Sequence, residues 1–456
     1  MEITQIGIFV LLITPLIFRF KRGLLTSIIV SIPFTATSIV NSGSGSALLV
    51  SQYFLILLVF SNAWILITDL KYPTIPKSLM PFTLFIVVCF LTIFSPILVD
   101  NNLLISNMQL GNEEYKSVLL NWYSFSRFIP LGMGWILVYG IYRNSSNLTV
   151  MIRTYLVGLI IFCFLGLIEY SISYYPSLAK DLVDVFVSAK HQYISTNPMS
   201  ETLNIVRIKS ASPEPSILAQ SIMTVYYYVA AAVLIRKYTI FNKVIDVLIL
   251  MLLTLTIYLS GSTAGYIGVL LSFVLVPLST PKDKEHQKVK KILVYSIFII
   301  LISLLIYLFS PSFATSVNDM ILSKRNTFSS YERIYSIANS FEYFIDYPLF
   351  GLGWGQVTSH DLFVFLLANT GLFGLSAFLY SFYHLTKKTF KTVNTSNHDK
   401  TTVLLALYFN LIIFTVIMSI TEFTYYFFSY YFLFGLVLAS ADKNYEKSNI
   451  TYVQHN

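Results

Sequence analysis

The chain has 456 residues, of which 55% are hydrophobic and 11% charged, and its formal net charge at pH 7 is +8. This composition excludes a set of ordinary soluble domains, because apolar runs of nearly 20 residues recur along the sequence and are long enough to cross a membrane. The positive surplus does not indicate nucleic-acid binding, since most of it falls in short loops between the apolar runs. We therefore expect one all-α polytopic membrane domain over residues 1–456.

Thirteen apolar segments have the length or composition of transmembrane helices. They lie at residues 3–18, 24–40, 46–68, 79–99, 117–142, 150–170, 215–235, 244–260, 263–280, 289–309, 361–386, 402–420 and 424–441. The first two are short enough to form a tight hairpin, so the expected count is about 12–13. Basic residues 19–22 follow the first segment rather than precede it, which favours a first span over a cleavable signal peptide.

Basic residues predict the orientation of these spans. With residues 19–22 placed in the cytoplasm, the cytoplasmic segments carry 21 of the 30 Lys and Arg residues, which favours an outside N-terminus and a cytoplasmic C-terminus. Two long extracytoplasmic loops, at about residues 171–214 and 311–360, then lie on the outer side. Long loops are exempt from the charge rule, so their arginines are available for function.

Both long loops contain amphipathic patterns. Residues 177–194 carry apolar side chains at spacings of three and four, which predicts a helix on the outer leaflet. In the second loop, Ser329 and Glu332 have the spacing of a capping box. The apolar stripe that follows comprises Ile334, Ile337, Phe341 and Phe344. We expect Arg333 in the first turn of this helix, facing the membrane surface.

The first loop ends in Arg207 and a Glu-Pro-Ser motif that begins at Glu214. Pro215 suits the first turn of a helix, so we expect Glu214 at the helix N-terminus. A carboxylate there either caps the helix, which stabilises it by a few tenths to about 1 kcal/mol, or acts as a general base at the membrane surface. The spacing alone favours the cap.

The second loop carries Arg325, Arg333 and His360. An arginine binds phosphate oxygens through paired hydrogen bonds, so two or three arginines can neutralise a diphosphate without a metal ion. Arginines that snorkel to lipid headgroups are the alternative. The ordinary pKa of histidine, near 6.5, suits proton transfer at neutral pH, although a structural loop histidine explains His360 equally well.

Residues 351–355 read Gly-Leu-Gly-Trp-Gly, which lacks the Gly-Lys-Ser/Thr ending of a nucleotide-binding loop. Its glycines suit a tight re-entry toward the membrane, and Trp354 is a candidate sugar contact. Arg127 lies inside a predicted span, where arginine is costly enough to suggest a function. No metal-ligand spacing is present in the sequence, so we expect neither a metal nor another cofactor.

Four segments in a fixed order give the sequence a family resemblance. They are Arg207 followed by Glu214-Pro-Ser, Leu259-Ser-Gly-Ser-Thr-Ala-Gly265, Arg333 before Asp346-Tyr-Pro-Leu-Phe-Gly-Leu-Gly-Trp354, and Ser359-His-Asp-Leu-Phe363 leading to Asn369-Thr-Gly-Leu-Phe-Gly374. The chain thereby resembles the O-antigen polymerase and ligase family (Wzy and WaaL type), membrane glycosyltransferases of the GT-C kind. Many members have Ser-Arg-Gly at Ser262-Thr-Ala, and many ligases have His-Asn at His360-Asp361. With Glu-Pro-Ser, these departures favour a capsule or O-antigen polymerase over a lipid A–core ligase.

The resemblance implies that undecaprenyl-diphosphate-linked oligosaccharide repeat units are joined at the outer face of the bacterial plasma (inner) membrane. Donor and acceptor are both lipid-linked glycans, and membrane lipid and a chain-length regulator are further partners. Arg207 and Arg333, with Arg325 as a third candidate, would bind the diphosphate. Glu214 or His360 would remove the acceptor proton in an inverting, metal-independent transfer.

Two other functions compete with the polymerase. An O-antigen ligase is the close alternative, because it would use the same donor with a different acceptor. A lipid-linked oligosaccharide flippase is the more distant one. Transporters usually have repeated halves and polar groups at the membrane midplane, whereas the charge of this sequence gathers in the predicted outer loops.

Overall fold

A computed structural model describes residues 2–20, 22–41, 47–69, 75–99, 103–109, 112–174, 185–187, 207–279, 328–396, 398–421 and 427–442. Most of these residues are helical, which confirms the all-α polytopic membrane class. Within the described ranges, five helices are long and apolar enough to cross a membrane, and one bent pair makes a sixth. Three predicted features lie outside the described ranges: the span at residues 289–309, Arg325, and the helix at 177–194 apart from residues 185–187. The count of 12–13 spans therefore stays a prediction.

The N-terminal half contains six of the helices that the structure describes. They are α1 (Gln5–Phe18), α2 (Gly23–Ser31), α3 (Val50–Asp69), α4 (Met80–Thr92), α5 (Trp122–Arg143) and α6 (Leu148–Tyr174). Short 3-10 turns follow α4 at Ser95–Leu98 and precede α6 at Ser145–Asn147.

The C-terminal half contributes eight further helices in the described ranges. They are α7 (Pro215–Met223), α8 (Tyr226–Ile235), α9 (Lys243–Ser260), α10 (Thr263–Leu275), α11 (Phe328–Asp346), α12 (Leu362–Val393), α13 (His398–Met418) and α14 (Phe428–Ser440). A 3-10 turn at Val276–Ser279 follows α10. Helix α11 confirms the helix predicted in the second loop. It begins at Phe328, so Ser329 lies inside the first turn rather than at the cap.

Five short strands interrupt this helical pattern. The strands β1 (Glu2–Ile3), β2 (Ser38–Asn41) and β3 (Ala47–Leu49) form an antiparallel sheet in that order. A helix over residues 24–40 was therefore wrong: α2 ends at Ser31, because Pro33 has no N–H with which to continue the helical hydrogen bonds. The strands β4 (Leu104–Gln109) and β5 (Asn112–Ser117) form a hairpin whose register pairs Leu104 with Ser117.

The main hydrophobic core lies between the helices and is rich in aromatic rings. Phe82 of α4 lies 4.7 Å from Phe434 of α14 between ring centroids, and Tyr155 of α6 stacks on Phe432 at 4.9 Å. Such ring pairs stabilise a packed interface beyond the apolar area that they bury. Helix α14 is buried along most of its length, so the other helices surround it.

The span expected at residues 215–235 is bent by 45° between α7 and α8. Asn410 of α13 is fully buried and fills this break. Its side chain donates to the carbonyls of Met223 (3.1 Å) and Thr224 (2.5 Å) and accepts from the Tyr228 amide (3.2 Å). Backbone groups freed inside a membrane need such partners, so Asn410 stabilises the bend.

A polar cluster joins four helices at one end of the bundle. One Asp442 oxygen, Oδ2, accepts from Lys388 Nζ, Ser78 Oγ and Tyr142 OH, each at 2.6 Å. Burial acts to raise the pKa of the Asp442 carboxyl, but the hydrogen bonds from Lys388, Ser78 and Tyr142 outweigh it and hold the pKa well below its usual range. Since the pKa is lower in the folded protein, the carboxylate stabilises the fold fully at neutral pH and loses this effect only in strong acid.

We expect Asp442→Asn to lower the melting temperature of the detergent-solubilised protein at pH 7. The substitution removes the charge that three donors share, and a hydrogen bond to a charged group is worth about 1.5–3 kcal/mol. Lys391→Gln is the matched control, because Lys391 is exposed in the last turn of the same helix as Lys388. Equal melting temperatures for Asp442→Asn and wild type would contradict a stabilising role for the cluster.

Candidate functional site

Four of the residues singled out in the sequence come together at one end of the bundle, here called the site end. The charges of Arg333 and Glu214 both act on the pKa of Arg207. The charge of Arg333 also acts on the pKa of His360, and those of Glu214 and Arg333 act on the pKa of Glu332. These five residues therefore form one electrostatic cluster, although they come from distant parts of the sequence.

Arg207 is half-buried and held against the end of α9. Its Nε donates to the Ser260 carbonyl at 3.1 Å. The side chain lies over Gly261, where a Cβ would be 3.1 Å from the guanidinium Nε, so the glycine makes room for it. Burial, and after it the charge of Arg333, lowers the pKa of Arg207, whereas Tyr266 and Glu214 raise it. Two cations held near each other are unfavourable, and a bound anion would relieve their repulsion.

Glu169, near the end of α6, fixes the backbone that follows Arg207. Its Oε2 accepts from two consecutive amides, those of Lys209 at 2.9 Å and Ser210 at 2.7 Å. Ser210 has a φ of +55°, and successive amides in such a turn form a concave site for an anion. Sequence reasoning missed Glu169; a carboxylate at the end of an apolar span was the available signal.

Glu214 occupies the N-cap position of α7, with Pro215 as the first helical residue, as expected. Its side chain makes no capping hydrogen bond to the helix, and it is exposed. Ser216 Oγ donates to Glu214 Oε2 at 3.0 Å. The hydrogen-bonded cap that the spacing favoured is therefore not formed, and the exposed carboxylate is accessible from outside the protein.

Helix α11 supplies Arg333 and the adjacent Glu332. Arg333 Nε is buried and has no hydrogen-bond partner among the residues that the structure describes. Arg333 is half-buried. Burial, followed by the charge of Glu214, raises the pKa of Glu332, whereas Arg333 lowers it. From the sequence, Glu332 was expected only to form half of a capping box, because its proximity to Glu214 is a tertiary feature.

His360 is held beside Arg333 by Ser336. The His360 amide donates to Ser336 Oγ at 3.3 Å, and Ser336 Oγ donates to the Arg333 carbonyl at 3.1 Å. Within the described part of the chain, His360 Nδ1 is buried without a hydrogen-bond partner. Burial, and then the charge of Arg333, lowers the pKa of His360 to about 4. The imidazole is therefore neutral at pH 7, and its lowered pKa makes it a weaker base than the ordinary histidine expected from the sequence.

The glycine-rich loop at residues 351–355 packs against a break inside α12. At Gly371 the helix has a φ of +61° and a ψ of −161°. A Cβ at Gly371 would lie 2.2 Å from the Leu349 carbonyl oxygen, so the loop needs a glycine there. Leu352 donates to the Ala368 carbonyl at 2.8 Å, and the Asn369 side chain both accepts from and donates to the backbone of Val357. This pairing satisfies the freed backbone groups and holds the chain that leads to His360.

Trp354 and Arg127 support this loop. Trp354 is fully buried, packs edge-on against Phe365 at 5.6 Å, and donates from Nε1 to the Arg127 carbonyl at 3.1 Å. The Arg127 guanidinium donates to the Gly355 carbonyl. The ring of Trp354 has no exposed face in this structure on which a sugar could stack, so the expected sugar contact is corrected to a packing role. Arg127 anchors the loop.

Residues 248–379, less than a third of the chain, match a family model described as O-antigen ligase. The matched range includes Arg333, the glycine-rich loop and His360, and it begins after Arg207 and Glu214. A comparison with curated proteins gave no match. The family match supports the O-antigen ligase and polymerase family, whose members transfer glycans from lipid-linked oligosaccharides.

We expect Glu169→Leu to loosen the backbone that holds Arg207. Each lost hydrogen bond to the carboxylate is worth about 1.5–3 kcal/mol, so the Lys209 and Ser210 amides should exchange at least about tenfold faster. Hydrogen-exchange mass spectrometry of the peptide over residues 207–213 measures this. Glu169→Gln keeps one acceptor oxygen and should give an intermediate rate. If these amides exchanged at the wild-type rate in the leucine variant, Glu169 would not hold the backbone that follows Arg207.

We expect His360 to stay neutral from pH 8 down to about pH 5, because its pKa is lowered from an ordinary value near 6.5 to about 4. Nitrogen-15 spectra of histidine-labelled protein follow this titration, and His360→Gln assigns the signal. Arg333→Gln removes one of the two causes and should raise the pKa of His360. A midpoint near 6.5 in the wild type would contradict the buried, cation-flanked environment.

Proposed function

We propose that the chain is an O-antigen or capsule polysaccharide polymerase of the GT-C kind. It would transfer a glycan from one undecaprenyl diphosphate carrier to a sugar hydroxyl on another. The observation that carries the proposal is the pairing of Arg207 with Arg333 beside Glu214 and His360. Two repelling cations next to two potential proton acceptors suit a reaction in which a diphosphate leaves as an alcohol attacks.

The arginines would stabilise the leaving group. As the bond between the sugar anomeric carbon and the diphosphate oxygen breaks, negative charge accumulates on the diphosphate. Arg207 and Arg333 are held in place before the reaction, so they need little rearrangement to stabilise that charge. Arg325 stays a third candidate for the same role, from outside the described residues.

Glu214 or His360 would accept the proton of the attacking hydroxyl. The acceptor oxygen forms the new bond to the anomeric carbon from the face opposite the diphosphate, so the configuration inverts, and the proton passes to one of these side chains. Glu214 is exposed and accessible to a substrate hydroxyl, and His360 is neutral, although its lowered pKa makes it a weaker base than an ordinary histidine. Comparison of kcat for Glu214→Gln and His360→Gln distinguishes them, since loss of the base lowers kcat more than it changes KM.

The site end would face the outside of the bacterial plasma membrane. The alternation of basic loops along the sequence supports this orientation, because the loops predicted to be cytoplasmic carry most of the Lys and Arg residues. Donor and acceptor lipids would reach the site from the outer leaflet. A chain-length regulator is a candidate partner on the same side.

A ligase is the second candidate, favoured by the description of the matching family model. A ligase would use the same donor and the same arginines but transfer the glycan to an acceptor that is not polyprenyl-linked, such as lipid A core. Incubation of the reconstituted protein with defined lipid-linked repeat units alone, and then with lipid A core, separates the two. Longer lipid-linked chains in the first reaction support the polymerase.

We expect the variants Arg207→Ala and Arg333→Ala to insert in the membrane but not to lengthen glycan chains, so that only single repeat units are found on the carrier lipid. Loss of one preorganised donor to a developing anion costs about 10²–10³ in kcat. Arg207→Lys and Arg333→Lys keep the charge but lack the paired donors, so their kcat should lie between those of the wild type and the alanine variants. Arg19→Ala changes an exposed arginine far from the cluster and should leave the product length unchanged. Long chains made by both alanine variants would rule out this assignment.

A further inference from the structure

Helix α11 exposes a continuous apolar stripe on the face away from its anchors. The stripe comprises Tyr331, Ile334, Ala338, Phe341 and Ile345, at spacings of three, four, three and four, and each of these side chains is exposed. Ile334 and Ile345 are 62% and 61% exposed. These spacings place all five residues on one side of a helix. The exposed stripe is displaced around the helix from the one expected, because Ile337 and Phe344 are half-buried.

The other side of α11 is fixed to the protein by polar contacts. Tyr343 OH accepts from the Ser106 amide at 2.9 Å, and Tyr335 OH lies 2.8 Å from Ser106 Oγ, which ties α11 to β4. Ser340 Oγ donates to the Thr358 carbonyl at 3.1 Å. The apolar stripe is therefore presented outward by a helix that is held in place.

The stripe continues into the lipid-facing surface of a membrane span. Phe350, just beyond α11, stacks on Phe373 of α12 with ring centroids 5.0 Å apart, and both rings are exposed. The backbone of Leu349 accepts from the Phe373 amide at 3.3 Å, which joins this segment to the span. Helix α12 is long and apolar enough to cross a membrane, so exposed apolar rings on it face lipid chains.

The polar residues of α11 exclude a transmembrane position for the helix itself. Glu332, Arg333 and Asp346 lie outside the stripe, and charged side chains at the membrane centre are costly. A helix with one apolar face and one polar face lies instead in the plane of the interface, with its apolar side about 5–10 Å into the headgroup boundary.

We propose that α11 docks on the membrane leaflet at the site end, with the stripe inserted among the acyl chains of membrane lipids. The docked helix holds Arg333 at the depth of lipid phosphate groups, because Arg333 lies on the flank of the helix and not on the inserted face. This last consequence rests on the proposed function, since it places the guanidinium where the diphosphate of a lipid-linked donor would lie. The docking itself does not.

Single cysteines test the docking in the full-length protein. The natural cysteines, Cys89 and Cys163, are fully buried, so Ala338→Cys and Ile345→Cys introduce the accessible thiols. Asp346→Cys is the matched control, because Asp346 is the next residue, equally exposed but outside the stripe. Each variant is labelled with the fluorophore NBD and placed in phosphatidylcholine nanodiscs, which leave both membrane faces accessible.

We expect a phospholipid spin-labelled on its acyl chain to quench the label at positions 338 and 345 at least about threefold more strongly than at 346. Aqueous iodide should show the reverse order. Equal iodide quenching at 345 and 346 would overturn the proposal, because the stripe would then face water. Weak quenching by both agents at 338 and 345 would also overturn it, since protein would then cover the stripe. Disulfide cross-links between Ile345→Cys chains would identify a second copy as that cover.

A kinetic comparison tests the consequence for the donor separately. The double variant Ile334→Ser, Ile345→Ser should raise KM for the lipid-linked donor several-fold and leave kcat within about twofold, because it weakens docking without touching Arg333. If the double variant loses the docking in the quenching assay and KM does not change, the placement of the donor is refuted, whereas the docking of the wild type still stands. Absence of any glycosyl transfer by the wild type would instead count against the proposed function.

Discussion

The nearness of two guanidinium groups at the edge of a membrane bundle is the arrangement on which the rest of the site depends. Arg207 and Arg333 repel each other, and burial adds to the cost of holding Arg207 charged. Such a pair persists only if the surrounding structure over-determines it. Arg207 is held by Ser260 and by a backbone turn closed on Glu169, and Arg333 by a helix fixed through Ser336 to His360. The protein thus holds the two cations near each other at a cost in stability, as the proposed diphosphate site requires.

Broken helices supply the geometry that this arrangement needs. The bend between α7 and α8 ends α7 after nine residues, and the break in α12 at Gly371 lets residues 347–357 fold back beside the helix. At the first break the buried Asn410 side chain satisfies the freed backbone groups, and at the second the backbone of residues 348–353 does so. Because a membrane offers no water for this purpose, breaks of this kind are stable only with such partners.

Much of this structure could be predicted from local sequence, and the rest depends on tertiary contacts. Hydropathy identified most of the helices in the described ranges because the membrane imposes length and polarity on every span. The early end of α2 was missed although Pro33 signals it, and the β4–β5 hairpin was missed because its strands are short and polar. Charge in the long loops and the family resemblance together pointed to Arg207, Glu214, Arg333 and His360. Glu169 was not found, since its role is to bind amides 40 residues further along the chain.

The buried position of Trp354 shows why residue type alone misassigned a role. A tryptophan between glycines in an outer loop suits sugar stacking, yet the same glycines let the backbone turn so tightly that the ring packs inward against Phe365. One row of exposed aromatic and aliphatic side chains lies instead along α11, with a spacing that suits the proposed lipid contact. A lipid-linked substrate needs a polar surface for its headgroup and an adjacent apolar surface for its chain. The proposed anion site and the apolar residues next to it therefore suit such a substrate better than a free sugar phosphate. Glu332 and Arg333 of the electrostatic cluster lie on α11 outside the stripe, so this one helix can position both the cluster and the stripe.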